Sequence, residues 1–531
     1  MTNRKNIFML IIINLCVLVY FTVSYTQTPT PPRHPQISPW LVGNNTWMNP
    51  GTREWNYAKE CPLQSIREGG EAFDGGIPGQ LADWKAQAKS MGAQLIIQIP
   101  HTFSGDQAAN VVRQNPDIIY YNIGNEPGLA GEGPSVVAAL IKRCAPAMKA
   151  VNPNIKIYVA DECDLWYGGR YYEQLFSTTN NANDVSGKTP DGKYWMVDGI
   201  SWHRYADGDI TNDVGQRIRE CWELAQRVNQ AKGRTGENRL MCGIGEFNHN
   251  GGAGVHTFIN GQAFGCIYGL CMKYEYTYAT MWSMFENGGS RSGTDFSWID
   301  GPTGKPRAMY YHMQMIAQNF SGVYCDGKSN VSTVFTYGCR DQNKLCAMII
   351  NKGSSPQQYV VRFNNTDITT GPSCKINIDA EVTPNLDYQD QVPANATHCI
   401  VIKNTGSKKI EYTSAHFNAA QPSVTTPINV TWTGPALAGT PVVYDNLIKK
   451  NDIIEKSPDF VVKKLINKLD ISFSLSDCYE IALVTLNGVL LRKDNINGKQ
   501  ALFNIDNISK GVYLLRLTGK SKIYSTKVFI E

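Results

Sequence analysis

The chain has no GxSxG nucleophile turn, no HExxH helix and no CxxC pair. These absences remove the esterase elbow, zincin proteolysis and zinc ribbons. It also lacks a field of one charge sign. Against 50 Lys and Arg stand 46 Asp and Glu, and the tail from Asp445 to Glu531, with 14 against 10, accounts for the whole formal net charge of +4. Such a balance gives nothing to steer nucleic acid. What the chain does have is ordinary globular composition, 42% apolar over 531 residues, enough for two to four domains, with carboxylates and aromatics as its remaining chemical signals.

Arg4 and Lys5 precede an apolar run from Ile7 to Val23, broken only by Asn14 and Thr22, and polar Ser24 to Thr30 follows. This is the pattern of a secretory signal peptide over residues 1–26. An uncleaved anchor is the alternative, because the run is nearly long enough to cross the hydrocarbon. Loss of a leader containing Cys16 leaves an odd number of the 14 cysteines in a compartment that permits disulfides. Cys325, Cys339, Cys346, Cys374 and Cys399 lie close together in sequence, so one or two bridges are expected there, with connectivity open.

From Trp40 short apolar runs alternate with amphipathic stretches. The expected strands are Trp40–Gly43, Gln64–Arg67, Gln94–Ile99, Asp117–Ile123, Ile155–Ala160, Val197–Trp202, Leu240–Ile244 and Tyr278–Phe285. Helix periodicity appears over Gly79–Met91, Ser135–Val151 and Asp213–Ala231. Continuous apolar strands with helical crossovers predict a parallel sheet covered on both faces. The count and length suit an α/β fold of the (β/α)8 TIM barrel type over residues 36–320. A doubly wound open sheet would alternate similarly, but no glycine fingerprint follows the first strand.

After about Phe320 the pattern changes to short strands and turns, at Val331–Tyr337, Leu345–Ile350, Gln358–Phe363, Cys374–Ile378, Cys399–Lys403 and Ile410–Thr413. These predict an antiparallel β-sandwich over 321–435. The Pro-, Thr- and Gly-rich stretch Ala419–Gly439 reads as its last edge running into a linker at 436–445. A third, all-β module is expected over 446–531, with strands at Leu469–Phe473, Glu480–Leu486, Val489–Arg492, Ala501–Ile505, Val512–Thr518 and Ser525–Phe529.

Two apolar strands end in carboxylates. Asp117 to Ile123 runs into Gly124-Asn125-Glu126-Pro127, and Leu240 to Gly245 runs into Glu246. Barrel chemistry sits at C-terminal strand ends, and a facing pair of carboxyls is the equipment of a retaining glycosidase. Asn125-Glu126-Pro127 on strand four and Glu246 on strand seven resemble the clan A glycoside hydrolases. The resemblance covers about Pro39 to Phe320, and the following sandwich resembles that of arabinofuranosidase-, xylosidase- and endoglucanase-like families. It implies Glu126 as general acid/base, Glu246 as nucleophile and Asn125 on the sugar 2-hydroxyl. Ser65-Ile66-Arg67-Glu68-Gly69-Gly70 resembles the clan's strand-two arginine, implying that Arg67 steadies the nucleophile and depresses its pKa. Ser201-Trp202-His203-Arg204-Tyr205 resembles a His-x-Tyr pattern, implying that Tyr205 donates to Glu246 and His203 lines the sugar site. Trp282 matches the tryptophan that stacks on the sugar. Trp47, His101, Glu162, Trp166, Tyr167 and His249 are further loop candidates, with Glu162 and Glu286 as rival carboxylates.

The last module resembles the C-terminal sorting domain of type IX secretion, carried by Asn487-Gly488, Ile508-Ser509-Lys510-Gly511-Val512-Tyr513-Leu514-Leu515-Arg516-Leu517 and Lys527-Val528-Phe529-Ile530. The sequence therefore predicts a secreted, surface-attached retaining glycoside hydrolase. Its partners are a polysaccharide or oligosaccharide and the type IX machinery, with no metal or organic cofactor, no nucleic acid and no membrane span after leader removal. The alternative is a noncatalytic glycan-binding or adhesion protein on a degenerate barrel.

Overall fold

The computed structural model describes residues 29–531 except 47–49, 167–170, 180, 384, 404–405, 418–426, 433–452, 457–459, 465–467, 486–489, 506–507, 509–510, 519–522 and 531. The expected leader, the 436–445 linker and the Asn487-Gly488 turn lie outside the described residues.

Eight parallel strands close into a barrel in sequence order. They are β1 (Val42–Thr46), β2 (Ser65–Glu68), β3 (Gln94–Ile99), β4 (Tyr120–Ile123), β5 (Lys156–Glu162), β6 (Gly199–Ala206), β7 (Met241–His249) and β8 (Tyr276–Met281). β8 pairs back onto β1 through Val42 and Ala279. Helices follow the strands: α1 (Thr52–Glu60), α2 (Leu81–Met91), α3 (Gly105–Gln114), α4 (Pro134–Val151), α5 (Tyr171–Leu175), α6 (Thr211–Lys232), α7 (Phe258–Lys273) and α8 (Ala308–Asn319). Strands five to seven run beyond their expected ends, to Glu162, Ala206 and His249. Their last residues are polar and interrupt the apolar run, yet the backbone ladder continues and carries those side chains to the barrel mouth.

α7 is apolar nearly all round and buried on both sides, as a helix between two layers must be. Gly261, Gly265 and Gly269 form a stripe along it. A Cβ on Gly261 would lie 2.7 Å from the Ala308 backbone of α8, one on Gly265 2.8 Å from Ile350, and one on Gly269 2.2 Å from the Tyr337 ring. The stripe lets α7 approach both α8 and the sheet that follows.

A short ribbon, β9 (Ile299–Asp300) and β10 (Lys305–Pro306), precedes α8. The second layer is a nine-stranded sheet made of β11 (Val323–Ser329), β12 (Val334–Arg340), β13 (Lys344–Asn351), β14 (Gln357–Arg362), β15 (Cys374–Ile378), β16 (Asp387–Val392), β17 (Ala396–Lys403), β18 (Ser407–Thr413) and β19 (Ile428–Trp432). All its pairs are antiparallel except β14 with β15. β11 joins two leaves, pairing with β12 through Val323–Asp326 and with β15 through Gly327–Ser329, so the sheet curls on itself like a sandwich. β19 lies within the stretch expected to be the last sandwich edge. The described cysteines, Cys325, Cys339, Cys346, Cys374 and Cys399 among them, are free thiols, which corrects the expectation of bridges. Apart from the half-buried Cys163 they are buried and act as small core hydrophobes.

One apolar core runs through barrel and sheet, from Ile66 and Ile244 to Met348 and Val401. Polar contacts stitch the same boundary. His312 of α8 meets the Thr397 hydroxyl at 3.0 Å, and Lys352 at the end of β13 reaches Asp209 at 2.8 Å. The segment before the barrel also belongs to this sheet. Arg33 makes two 2.8 Å hydrogen bonds to Asp379, and Gln36 bridges Val323.

The C-terminal unit has its own sheet of β20 (Ile453–Lys456), β21 (Phe460–Lys464), β22 (Lys468–Thr485), β23 (Leu490–Asn504), β24 (Gly511–Thr518) and β25 (Ile523–Ile530). Leu469, Ile481, Leu483, Phe503, Leu515 and Val528 form its core. Pairs of expected strands run together here. Leu469–Phe473 and Glu480–Leu486 join as β22, with a register shift between Ser472 and Asp477.

Candidate active site

Arg67 is the hub. It is wholly buried on β2, and its guanidinium reaches five side chains. Nη1 donates to Glu246 Oε1 at 2.8 Å and to Asn45 Oδ1 at 2.9 Å. Nη2 donates to Asn125 Oδ1 at 3.0 Å and Gln98 Oε1 at 3.3 Å, and Nε donates to Asp161 Oδ2 at 3.1 Å. This fixed fork holds β1, β3, β5, β7 and the loop after β4 in one geometry. Asn45 is itself pinned by the carbonyls of Gly245 and Met281.

Glu126 and Glu246 reach the site differently. Glu246 sits inside β7, paired in register with His203 of β6, whereas Glu126 lies three residues past β4. Glu126 and Asp161 both adopt left-handed backbone, at φ 41° and 53°, and the Glu126 N–H donates to the Asp161 carbonyl at 2.8 Å. The loop after β4 and the end of β5 thus share an unfavourable conformation, which persists only where surroundings enforce it.

Tyr205 donates to Glu246 Oε2 at 2.7 Å. His203, expected to line the sugar site, is wholly buried, with Nδ1 3.0 Å from Glu126 Oε1 and 3.5 Å from Glu246 Oε2. Burial alone would lower its pKa, but the negative charges of Glu246 and Asp161 and the hydrogen bond to Glu126 push it up to about 10. For Glu246, burial pushes the pKa up and Glu126 adds to that. His203, Arg67 and Tyr205 oppose the rise without cancelling it, so the depression expected from Arg67 alone does not prevail. Glu126, His203 and Glu246 bring one ligand atom each within 4.8 Å of the others, a spacing that could also receive a cation. Arg67 already supplies positive charge at that point.

Trp282 donates from Nε1 to Glu286 at 2.9 Å, and burial raises the Glu286 pKa to about 7. Glu162, the rival carboxylate, accepts from the Gly128 and Cys163 N–H groups, so it anchors the loop that carries Glu126. His101 lies 3.7 Å from Asp74, Trp166 donates to Glu220, and His249 accepts from the Gly208 N–H. Trp47 and Tyr167 lie outside the described residues. Asp161, Asn45 and Gln98 went unremarked in the sequence, where nothing in a linear pattern marks which polar residue of a strand end turns inward.

Residues 83–288 match the cellulase model, glycosyl hydrolase family 5, and residues 465–531 match the secretion system C-terminal sorting domain. No curated protein matches the chain. Among solved structures, a family 51 alpha-L-arabinofuranosidase from Bifidobacterium longum superposes with a TM-score of 0.51 at 10% identity, covering 75% of this chain and 93% of that one. A GH30 endoxylanase from Clostridium papyrosolvens gives 0.47 at 13% identity, covering 70% and 99%. A family 44 xyloglucanase from Paenibacillus polymyxa gives 0.48 at 10%, covering 70% and 98%. No helix among the described residues is long and apolar enough to cross a membrane. The family 5 match from α2 to just past β8 and the sorting-domain match at the C-terminus mark the chain as a glycoside hydrolase that carries a type IX sorting domain for export to the cell surface or beyond.

Proposed function

We propose that the protein hydrolyses O-glycosidic bonds in a cell-wall or matrix polysaccharide by double displacement, with net retention at the anomeric carbon. Glu246 attacks that carbon while Glu126 gives its proton to the departing oxygen, leaving a glycosyl ester on Glu246. Glu126, now a carboxylate, takes a proton from water as the water displaces Glu246, and two inversions restore the original configuration. The observation that carries this reading is the spacing. Ligand oxygens of Glu126 and Glu246 lie within 4.8 Å, close to the roughly 5–5.5 Å of retaining pairs and well short of the roughly 6.5–9.5 Å that an intervening water requires.

Arg67 and Tyr205 hold the Glu246 carboxylate toward the sugar, Asn125 takes the 2-hydroxyl, His203 serves the two glutamates and Trp282 forms a wall against the ring. Residues 36–320 carry the catalysis, 321–435 the sandwich and 446–531 the export module. A noncatalytic glycan-binding role would leave the Arg67 network around Glu246 without a purpose. The family 5 model is named for cellulase and the arabinofuranosidase for arabinose release, so β-glucans, xylans and arabinans form the substrate panel.

The test is stereochemical. NMR of the first-formed product should show the substrate's own anomeric configuration. Glu246→Ala should abolish turnover and, with azide, yield a glycosyl azide of inverted configuration. Glu126→Ala should spare substrates with good leaving groups and give the retained azide. Full activity of either variant on natural glycan would end the assignment.

A further inference from the structure

Two buried polar atoms near the glutamates face each other without a hydrogen-bond partner. Asp161 Oδ1 and His203 Nε2 are both wholly buried, neither is hydrogen-bonded, and they lie 3.8 Å apart. Buried orphans of this kind need a reason. A second observation points at the same pair. A Cβ on Gly245, the residue before Glu246, would lie 2.6 Å from Asp161 Oδ1 and 2.8 Å from His203 Nε2. β7 thus carries no side chain at the one position where a side chain would part them.

We propose that Asp161 and His203 form a buried carboxylate–imidazolium pair, in which Asp161 keeps His203 doubly protonated and aims its Nδ1–H at whichever catalytic glutamate bears the negative charge. Asp161 is a positioning residue, and its role rests on the reading of Glu126 as acid/base and Glu246 as nucleophile. Its other oxygen is fixed by Arg67 at 3.0 Å, so Oδ1 is the atom left for His203. Despite burial, Arg67 and His203 hold the Asp161 carboxyl below its ordinary range, so it is a charged partner. The 3.8 Å gap is of the kind that tightens when substrate fills a site.

The charges that face His203 make the direction of its service change during the reaction. Glu126 approaches from the loop after β4, Asp161 and Glu162 from β5, Glu246 from β7, and Tyr205 from its own strand, with Arg67 of β2 beyond Asp161. Before reaction the negative charge is on Glu246. Once Glu246 has become an ester and the Glu126 proton has left with the leaving group, the charge is on Glu126. His203 Nδ1 lies within 3.5 Å of both and can follow that charge without losing its own proton.

The experiment uses the full chain with isotope-labelled histidine, the His203 signal being identified by its loss in His203→Asn. In the parent both ring nitrogens should remain protonated through neutral pH. In Asp161→Asn the His203 midpoint should fall by at least about one pH unit, the least effect of losing one close opposite charge. The alkaline limb of kcat/KM should also move to lower pH, because the proton-donating Glu126 still faces the His203 cation and has lost the Asp161 negative charge beside it. Asp161→Glu should restore both toward the parent. A neutral His203 at pH 7 in the parent overturns the proposal even if Asp161→Asn fails to fold. A uniform loss of rate in Asp161→Asn, with titration and limb unmoved, also overturns it. If the parent cleaves no glycan, the functional reading fails, while the His203 titration still decides the pair.

Discussion

Glu68 and Glu286 show burial acting on carboxyls that no guanidinium rescues by direct contact. Glu68 is wholly buried on β2, hydrogen-bonded to Thr46, and burial raises its pKa well above the ordinary 4.5. The unfolded chain ionises Glu68 above that ordinary value while the folded chain keeps it protonated, so stability is lost as pH rises through that window. Glu68→Gln, which cannot ionise, should therefore melt several degrees above the parent at pH 8 and close to it at pH 4, as read by thermal denaturation. Glu286 lies within electrostatic reach of Glu246, and its ionisation near pH 7 adds negative charge beside the nucleophile. The pH profile of kcat/KM should show an inflection there that Glu286→Gln removes, and an unchanged profile would detach Glu286 from the reaction. At this scale Glu126, Glu246 and Arg67 were legible because each sits in a motif behind an apolar strand. Asp161 was not, because Asp161-Glu162-Cys163-Asp164 presents three carboxyls within four residues and only the left-handed backbone at Asp161 decides which one faces inward.

Among the elements, apolar runs located all eight barrel strands but misplaced their ends. β3 was read to the residue because only Gln98 interrupts the buried apolar run from Leu95 to Ile99. β6 and β7 were cut short where His203 and Glu246 begin, since a strand end devoted to chemistry does not look like a strand. In the sheet, β16 was missed for a related reason: Asp387 to Val392 is polar and mostly exposed along an edge, so packing leaves little trace in its composition. α7 gives the sharpest test of an element. Gly265→Leu should drive a side chain into Ile350 and Met348 and cost about 1–3 kcal/mol, measured by chemical denaturation. The same change on an exposed helix face would be near neutral, so an unaffected midpoint would mean that α7 does not meet the sheet as described.

For the whole molecule, the shared core predicts how the chain tolerates cutting. A protein ending at Phe320 loses the partners of α7 and α8, exposes that apolar surface and should be insoluble or markedly less stable. One ending at Leu437, the limit of the first compact unit, should fold and hydrolyse glycan. Equal melting temperatures for the two would refute the common core. Removal of residues 438–531 should strand the protein in the periplasm with its purified activity intact, which fractionation of the secreting cells would reveal. The strap before the barrel carries a different consequence. Arg33 and Asp379 stand 346 residues apart in sequence, so Arg33 finds this partner only after most of the first unit has emerged. Docking of the strap is a long-range contact of the kind that slows folding, and its closure belongs to the end of assembly rather than its start.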